Sequence, residues 1–135
     1  MSTLASSATI ERRILLLRGQ RVMLDSDLAD LYGVSTKRLN ELVRRIIQRF
    51  PADFMFKLSP DEAAALRSQN ATLEAGRGKY RKYLVYVFTE QGVAMLSSVL
   101  NSERAVQVNI EIMRAFVRLR ELIATNRDLA RRLDE

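Results

Sequence analysis

LADLYGVSTKRLNELV, residues 28–43, is the stretch that decides the fold. Leu28, Leu31 and Tyr32 recur three and four apart, the spacing of one apolar helix face, and Asp25 or Ser26 just upstream can cap the start. Gly33 follows the last of them, where glycine accepts the left-handed conformation that closes a helix. Ser35 or Thr36 then caps a second helix, whose apolar positions Leu39, Leu42, Val43, Ile46 and Phe50 keep the same spacing until Pro51. The small Ala29 lets the two helices approach, and Val34, Leu39 and Leu42 pack the second onto the first. That is the pattern of a helix-turn-helix.

With those residues turned inward, Thr36, Lys37, Asn40, Glu41, Arg44, Arg45 and Gln48 face outward and Arg38 lies at the edge. Lysine and arginine can bridge the acceptors of guanine, asparagine can bridge adenine, and Ser35 or Thr36 at the helix start can bind phosphate beside backbone amides. The candidate DNA-binding residues here are Ser35, Thr36, Lys37, Arg38, Asn40, Arg44, Arg45 and Gln48. A basic stripe can equally be a solvated helix face, so charge placement has to separate the two readings. Residues 35–49 hold five basic side chains against Glu41 alone, and residues 76–83 add Arg77, Lys79, Arg81 and Lys82 with no acid opposing them. This second cluster is flanked by glycine and runs into a strand, as the wing of a winged helix would, where cations meet phosphate or the minor groove. Its competing reading is a solvated loop.

Outward from this centre, short apolar runs at 14–17 and 20–23 flank Arg18-Gly19 as in a β-hairpin. FMFKL (54–58) and KYLVYVF (82–88) are strand candidates, the latter β-branched and aromatic throughout. Between them, Ser59, Pro60 and Glu62 form a capping box that opens a helix, and residues 70–78 look like loop. Thr89 can cap a helix ending near Asn101, and Ser102 the last and longest one. The expected fold is therefore α+β: a small helix-turn-helix or winged-helix-like domain with a few short antiparallel strands and a long C-terminal helix.

A heptad register runs along that helix, with Ala105, Ile112, Leu119, Asn126 and Leu133 at a and Val108, Ala115, Leu122 and Leu129 at d. Up to Phe116 a core-facing helix explains the stripe. From 123 onward the chain is too polar for a globule's interior yet stays in register, which points to a coiled-coil homodimer through Ile112, Leu119, Leu122, Asn126, Leu129 and Leu133. Asn126 at an a position would fix register. The competing reading breaks the helix in two at a cap formed by Thr125 or Asn126.

Composition narrows the function class. The chain has 135 residues, no cysteine, no histidine and a formal net charge of +6. This excludes thiolate chemistry and the usual zinc sites, removes the commonest general base, and favours a polyanionic partner. The longest apolar run, 83–88, falls far short of the roughly 20 residues of a membrane span. No membrane association, cofactor, metal or small-molecule substrate is expected, and no enzyme activity. Asp25, Asp27, Asp30, Asp61 and Glu62 occupy first helical turns or polar surfaces, where capping and the helix dipole account for them. A metal-dependent nuclease using Asp25 and Asp27 is the weaker, enzymatic alternative.

RGQRVMLDSDLADLYGV (18–34), RFPADFMFKLS (49–59), LRSQNAT (66–72) and FTEQGVAMLSSVLNSERAVQVNIEIMRAFVRLRE (88–121), in that order, closely resemble the phage orf-six N-terminal domain, a relative of the KilA N-terminal domain. The resemblance implies a DNA-binding domain of phage and prophage proteins, associated with transcriptional regulators and antirepressors, and a compact α+β fold. It supplies no catalytic signature. Residues 1–9 are expected to be a flexible tail, 10–122 the DNA-binding domain and 123–135 a helical extension. The leading expectation is sequence-specific binding of double-stranded DNA by a homodimer in a bacterial cytoplasm, on half-sites about one helical turn apart. The alternative is a module that sequesters a repressor protein through its C-terminal helix.

Overall fold

Arg18 and Gly19 both adopt positive φ, 52° and 74°, the combination a two-residue hairpin turn requires. Strands β1 (Ile14–Leu17) and β2 (Gln20–Leu24) therefore pair antiparallel with Leu17 opposite Gln20. Strand β4 (Tyr86–Thr89) lies along β2, and β3 (Met55–Lys57) along the far side of β4, giving a four-stranded antiparallel sheet in the order β1-β2-β4-β3. The structure, a computed structural model, describes residues 7–69 and 85–134. Seven helices occur among them: α1 (Ser7–Glu11), α2 (Asp25–Tyr32), α3 (Thr36–Arg45), α4 (Pro60–Gln69), α5 (Glu90–Leu100), α6 (Glu103–Asp134) and a 3-10 turn (Ile47–Arg49).

Side-chain alternation divides the interior into two cores. Met23 and Phe88, opposite each other on β2 and β4, join the main core with residues of α1, α2, α3, α5 and α6. Val22, Leu24 and Val87 point to the other face and form a smaller core with Leu58, just after β3, and Leu66 of α4. The period of two along each strand is what allows one sheet to serve both. The capping box closes as expected, Ser59 N–H to Glu62 Oε1 at 2.8 Å and Glu62 N–H to Ser59 Oγ at 3.1 Å. Arg18 adds two hydrogen bonds to the same carboxylate and stacks over Phe56, tying the hairpin tip to the start of α4. The Arg18 guanidinium, with the Ser59 amide, holds the Glu62 carboxyl down at about 2.

Thr89 leaves the sheet and caps α5, its Oγ accepting from Gly92 N–H. Its N–H donates to Phe54 O at 3.0 Å and its hydroxyl to Asp53 O at 2.7 Å. This clamp holds the backbones so close that a Cβ on Gly92 would lie 2.0 Å from Phe54 O, so only glycine fits.

Two expectations change, and the expected long C-terminal helix is kept over its competing two-helix reading. Of the expected tail 1–9, residues 1–6 lie outside the described residues, and 7–9 belong to helix α1, which is anchored by the buried Ile10 and by Glu11 meeting Arg118 of α6 at 3.2 Å. The helix after Ser35 ends at Arg45 instead of running to Pro51: Ile46 leaves helical geometry, and Phe50 turns into the core edge-to-face on Phe88. Pro51 also disfavours helical geometry at Phe50. The last helix is continuous, with no cap at Thr125, whose hydroxyl donates to Glu121 O at 2.9 Å within the helix.

Candidate nucleic-acid interface

Helices α2 and α3 are joined by residues 33–35, and each turn residue has a bonding reason. Gly33, at φ 79°, donates to Ala29 O and Asp30 O, and Val34 N–H also donates to Ala29 O. This pattern satisfies the last carbonyls of α2 and reverses the chain within three residues. Ser35 Oγ accepts from Arg38 N–H at 3.0 Å, so Ser35, not Thr36, is the cap of α3. Arg104 of α6 donates to Leu31 O at 3.0 Å and packs over Gly33, bracing the turn from behind. Leu39 and Val43 bury the inner face of α3 against Leu28, Ala29 and the rest of the main core.

The outer face of α3 is cationic. Lys37, Arg38, Arg44 and Arg45 are exposed on the helix, and Gln48 and Arg49 are exposed on the 3-10 turn. None of these five cations makes an ion pair among the described residues. By contrast Arg13, Arg18, Arg114, Arg118, Arg120, Arg131 and Arg132 all do. Thr36 is half-buried at the helix start and Ser35 is exposed before it.

Asn40 sits differently from its neighbours on α3. It is half-buried, and its Nδ2 donates to Asp25 Oδ2 at 3.0 Å. Asp25 is not the cap of α2, a place held by Leu24 without a side-chain bond. Its carboxylate is 0% exposed and also accepts from Ser26 N–H at 2.7 Å and Tyr86 N–H at 3.3 Å. One buried carboxylate thus fastens α2, α3 and β4 together. Asp27 is turned towards Arg13, 3.6 Å away; burial pushes its carboxyl up to about 6, with Arg13 pulling down and Asp30 and Asp25 pushing up.

Where α3 gives way to the 3-10 turn, Asn40, Val43, Arg44, Ile47, Met55 and Tyr86 line a small notch of about 40 Å³. Ile47 stands at its edge, 48% exposed, beside the exposed Arg44. The sequence pattern placed Ile47 inside a longer helix and gave Met55 and Tyr86 no functional part. Only a signal for the early end of α3 could have exposed the notch, and that end is set by Phe50 finding Phe88.

Arg77, Lys79, Arg81 and Lys82 lie outside the described residues. The dimer set divides. Ile112 is 0% exposed within its own chain's core, so it is a core residue and not an interface residue; a heptad stripe looks the same in both settings. Leu119 is half-buried against that core, whereas Leu122, Asn126, Leu129 and Leu133 are exposed along the projecting end of α6. Among the described residues no helix is long and apolar enough to cross a membrane, and no group of three or more acidic side chains could hold a metal ion.

A family model for the ORF6N domain matches residues 12–99 of this chain. The match spans α2, α3 and the whole sheet, and the chain belongs to that family, a phage and prophage domain related to KilA-N. No curated protein and no solved structure matches it.

Proposed function

We propose that this ORF6N-domain chain is a sequence-specific double-stranded DNA-binding protein of the phage-regulator or antirepressor type, with α3 as its recognition helix. The observation that supports this reading is the set of cations on the outer face of α3 and the following turn, exposed and without ion-pair partners among the described residues, on the second helix of a helix-turn-helix. Uncompensated cations packed on one helix repel one another, and a polyanion relieves that repulsion while releasing its own counterions. Side chains from Lys37 to Arg45 are spaced along a helix of a diameter the major groove admits. Ser35, Thr36 and Arg38 at the N-terminal end are positioned for the phosphate backbone, with Lys37, Arg44, Arg45 and Gln48 for base edges and phosphates. Asn40 contributes by anchoring the helix through Asp25. The basic segment 77–82 is proposed as a second contact. The chain acts as a binding module in a bacterial cytoplasm and not as an enzyme.

Arg44→Glu is the direct test. Arg44 is exposed and makes no ion pair among the described residues, so the variant should keep its far-UV circular dichroism and shift its melting temperature only slightly while losing duplex affinity more than tenfold in a fluorescence-anisotropy titration. Unchanged affinity would sink the assignment of α3.

A second reading has its own observation. Leu122, Leu129 and Leu133 lie exposed on α6 beyond the core, a surface for a second copy of the chain or for a repressor's helix. Pairing with its own copy serves the DNA reading, since it presents two α3 helices to two half-sites. Pairing with a repressor would give binding that salt barely changes, unlike phosphate contacts.

A further inference from the structure

We infer that the notch at the C-terminal end of α3 is a thymine-methyl reader, with Ile47 as its specificity-determining residue. This rests on the proposal that α3 enters the major groove. Ile47 is one of the few large apolar side chains left exposed among the described residues, and it alone lies within the cationic face. Arg44 lines the same notch, and Arg45, Gln48 and Arg49 surround it in sequence. Nothing in the fold requires Ile47 there, because the neighbouring core positions are filled by Val43 and Phe50.

A surface that is cationic and yet carries an apolar notch is complementary to a polyanion that bears apolar groups. In the major groove the only such group is the C5-methyl of thymine, and apolar side chains are what recognise it. The notch is small and lined mainly by apolar atoms, which suits a methyl group standing out from a groove floor. Of the other lining residues, Asn40 on α3 and Tyr86 on β4 both donate to Asp25, and Met55 lies on β3 paired to β4, so the notch is held rigidly relative to the helix. Arg44 on its rim can engage a phosphate or an adjacent guanine while Ile47 covers the methyl, so the pair would favour a thymine at one fixed place in each half-site.

The test separates the methyl from everything else. A duplex pool selected by the full chain from random-sequence DNA is amplified twice, once with thymidine and once with deoxyuridine triphosphate, giving identical sequences that differ only in the C5-methyl. Burying one methyl is worth a factor of roughly four, so wild-type protein should bind the deoxyuridine pool about fourfold more weakly for each half-site occupied. Ile47→Ala, at an exposed position, should keep the melting temperature and bind both pools alike, at the wild-type affinity for deoxyuridine DNA. Arg44→Ala should bind both pools more weakly and keep the wild-type ratio between them. Equal wild-type binding to both pools overturns the inference and leaves the DNA reading standing. A ratio retained in Ile47→Ala also overturns it, by placing methyl recognition elsewhere. Failure to select any pool overturns both readings together, and saturable binding of an apolar peptide at the notch in that case would assign it to a protein partner.

Discussion

Asp25 is the only charged residue fully buried among the described residues, and it accepts hydrogen bonds from three N–H donors on α2, α3 and β4. A carboxylate removed from water has to be compensated in this way, and removing it strands the donors it serves. Asp25→Ala should therefore lower unfolding free energy by about 3 kcal/mol, since each stranded buried donor costs about 1–3 kcal/mol; urea unfolding followed by circular dichroism measures it, and a loss below about 1 kcal/mol would remove Asp25 from the account. At this scale the sequence is legible where a rule is local. Arg18-Gly19, Gly33 and the Ser59–Glu62 box act within a few residues and were readable directly. Asp25 was not, because it has the look of a cap, while its deciding partners lie 15 and 61 residues away. Gly92 was hidden for the same reason: the carbonyl that forbids a side chain there belongs to Phe54.

Periodicity at the scale of whole elements identified the helices well and their ends less well. Helix α3 stops at Arg45 because burial of Phe50 on Phe88 outweighs continuing an apolar stripe, and that choice creates both the 3-10 turn and the notch. The heptads of α6 likewise could not distinguish a core from an interface. Ala105, Val108, Ile112 and Ala115 spend their apolar faces inside the chain, and only the stretch beyond Leu119 projects, about 22 Å long at 1.5 Å per residue. Asn126 is exposed there between Leu122 and Leu129. If this end pairs with its own copy, Asn126→Leu should raise the melting temperature and loosen control of oligomer number, since an a-position asparagine trades stability for a defined dimer. Analytical ultracentrifugation and a thermal melt check this; an unchanged species with an unchanged melting temperature would argue against the coiled coil.

Among the described residues, five cations without ion-pair partners lie together on α3 and the following turn, while Arg13, Arg18, Arg118 and Arg120 are engaged in pairs that hold elements together. Those exposed pairs contribute little stability each. The cations of α3 make no such pairs among the described residues, which is why their placement is informative about a partner. The family assignment at residues 12–99 covers this face but not the projecting end of α6. The α+β architecture and the helix-turn-helix were thus legible from spacing alone, whereas the arrangement of the face required knowing that Asn40 turns inward and Ile47 outward. The central claim is that α3 binds duplex DNA through its cations. The most direct measurement is duplex affinity between about 50 and 200 mM salt for wild type and for Arg44→Glu with Arg45→Glu, since each phosphate contact adds about 0.9 to the log–log slope. Wild-type affinity should fall linearly on that plot, and the double variant should bind far more weakly with a shallower slope. A double variant that keeps both the affinity and the slope of the wild type would contradict the account.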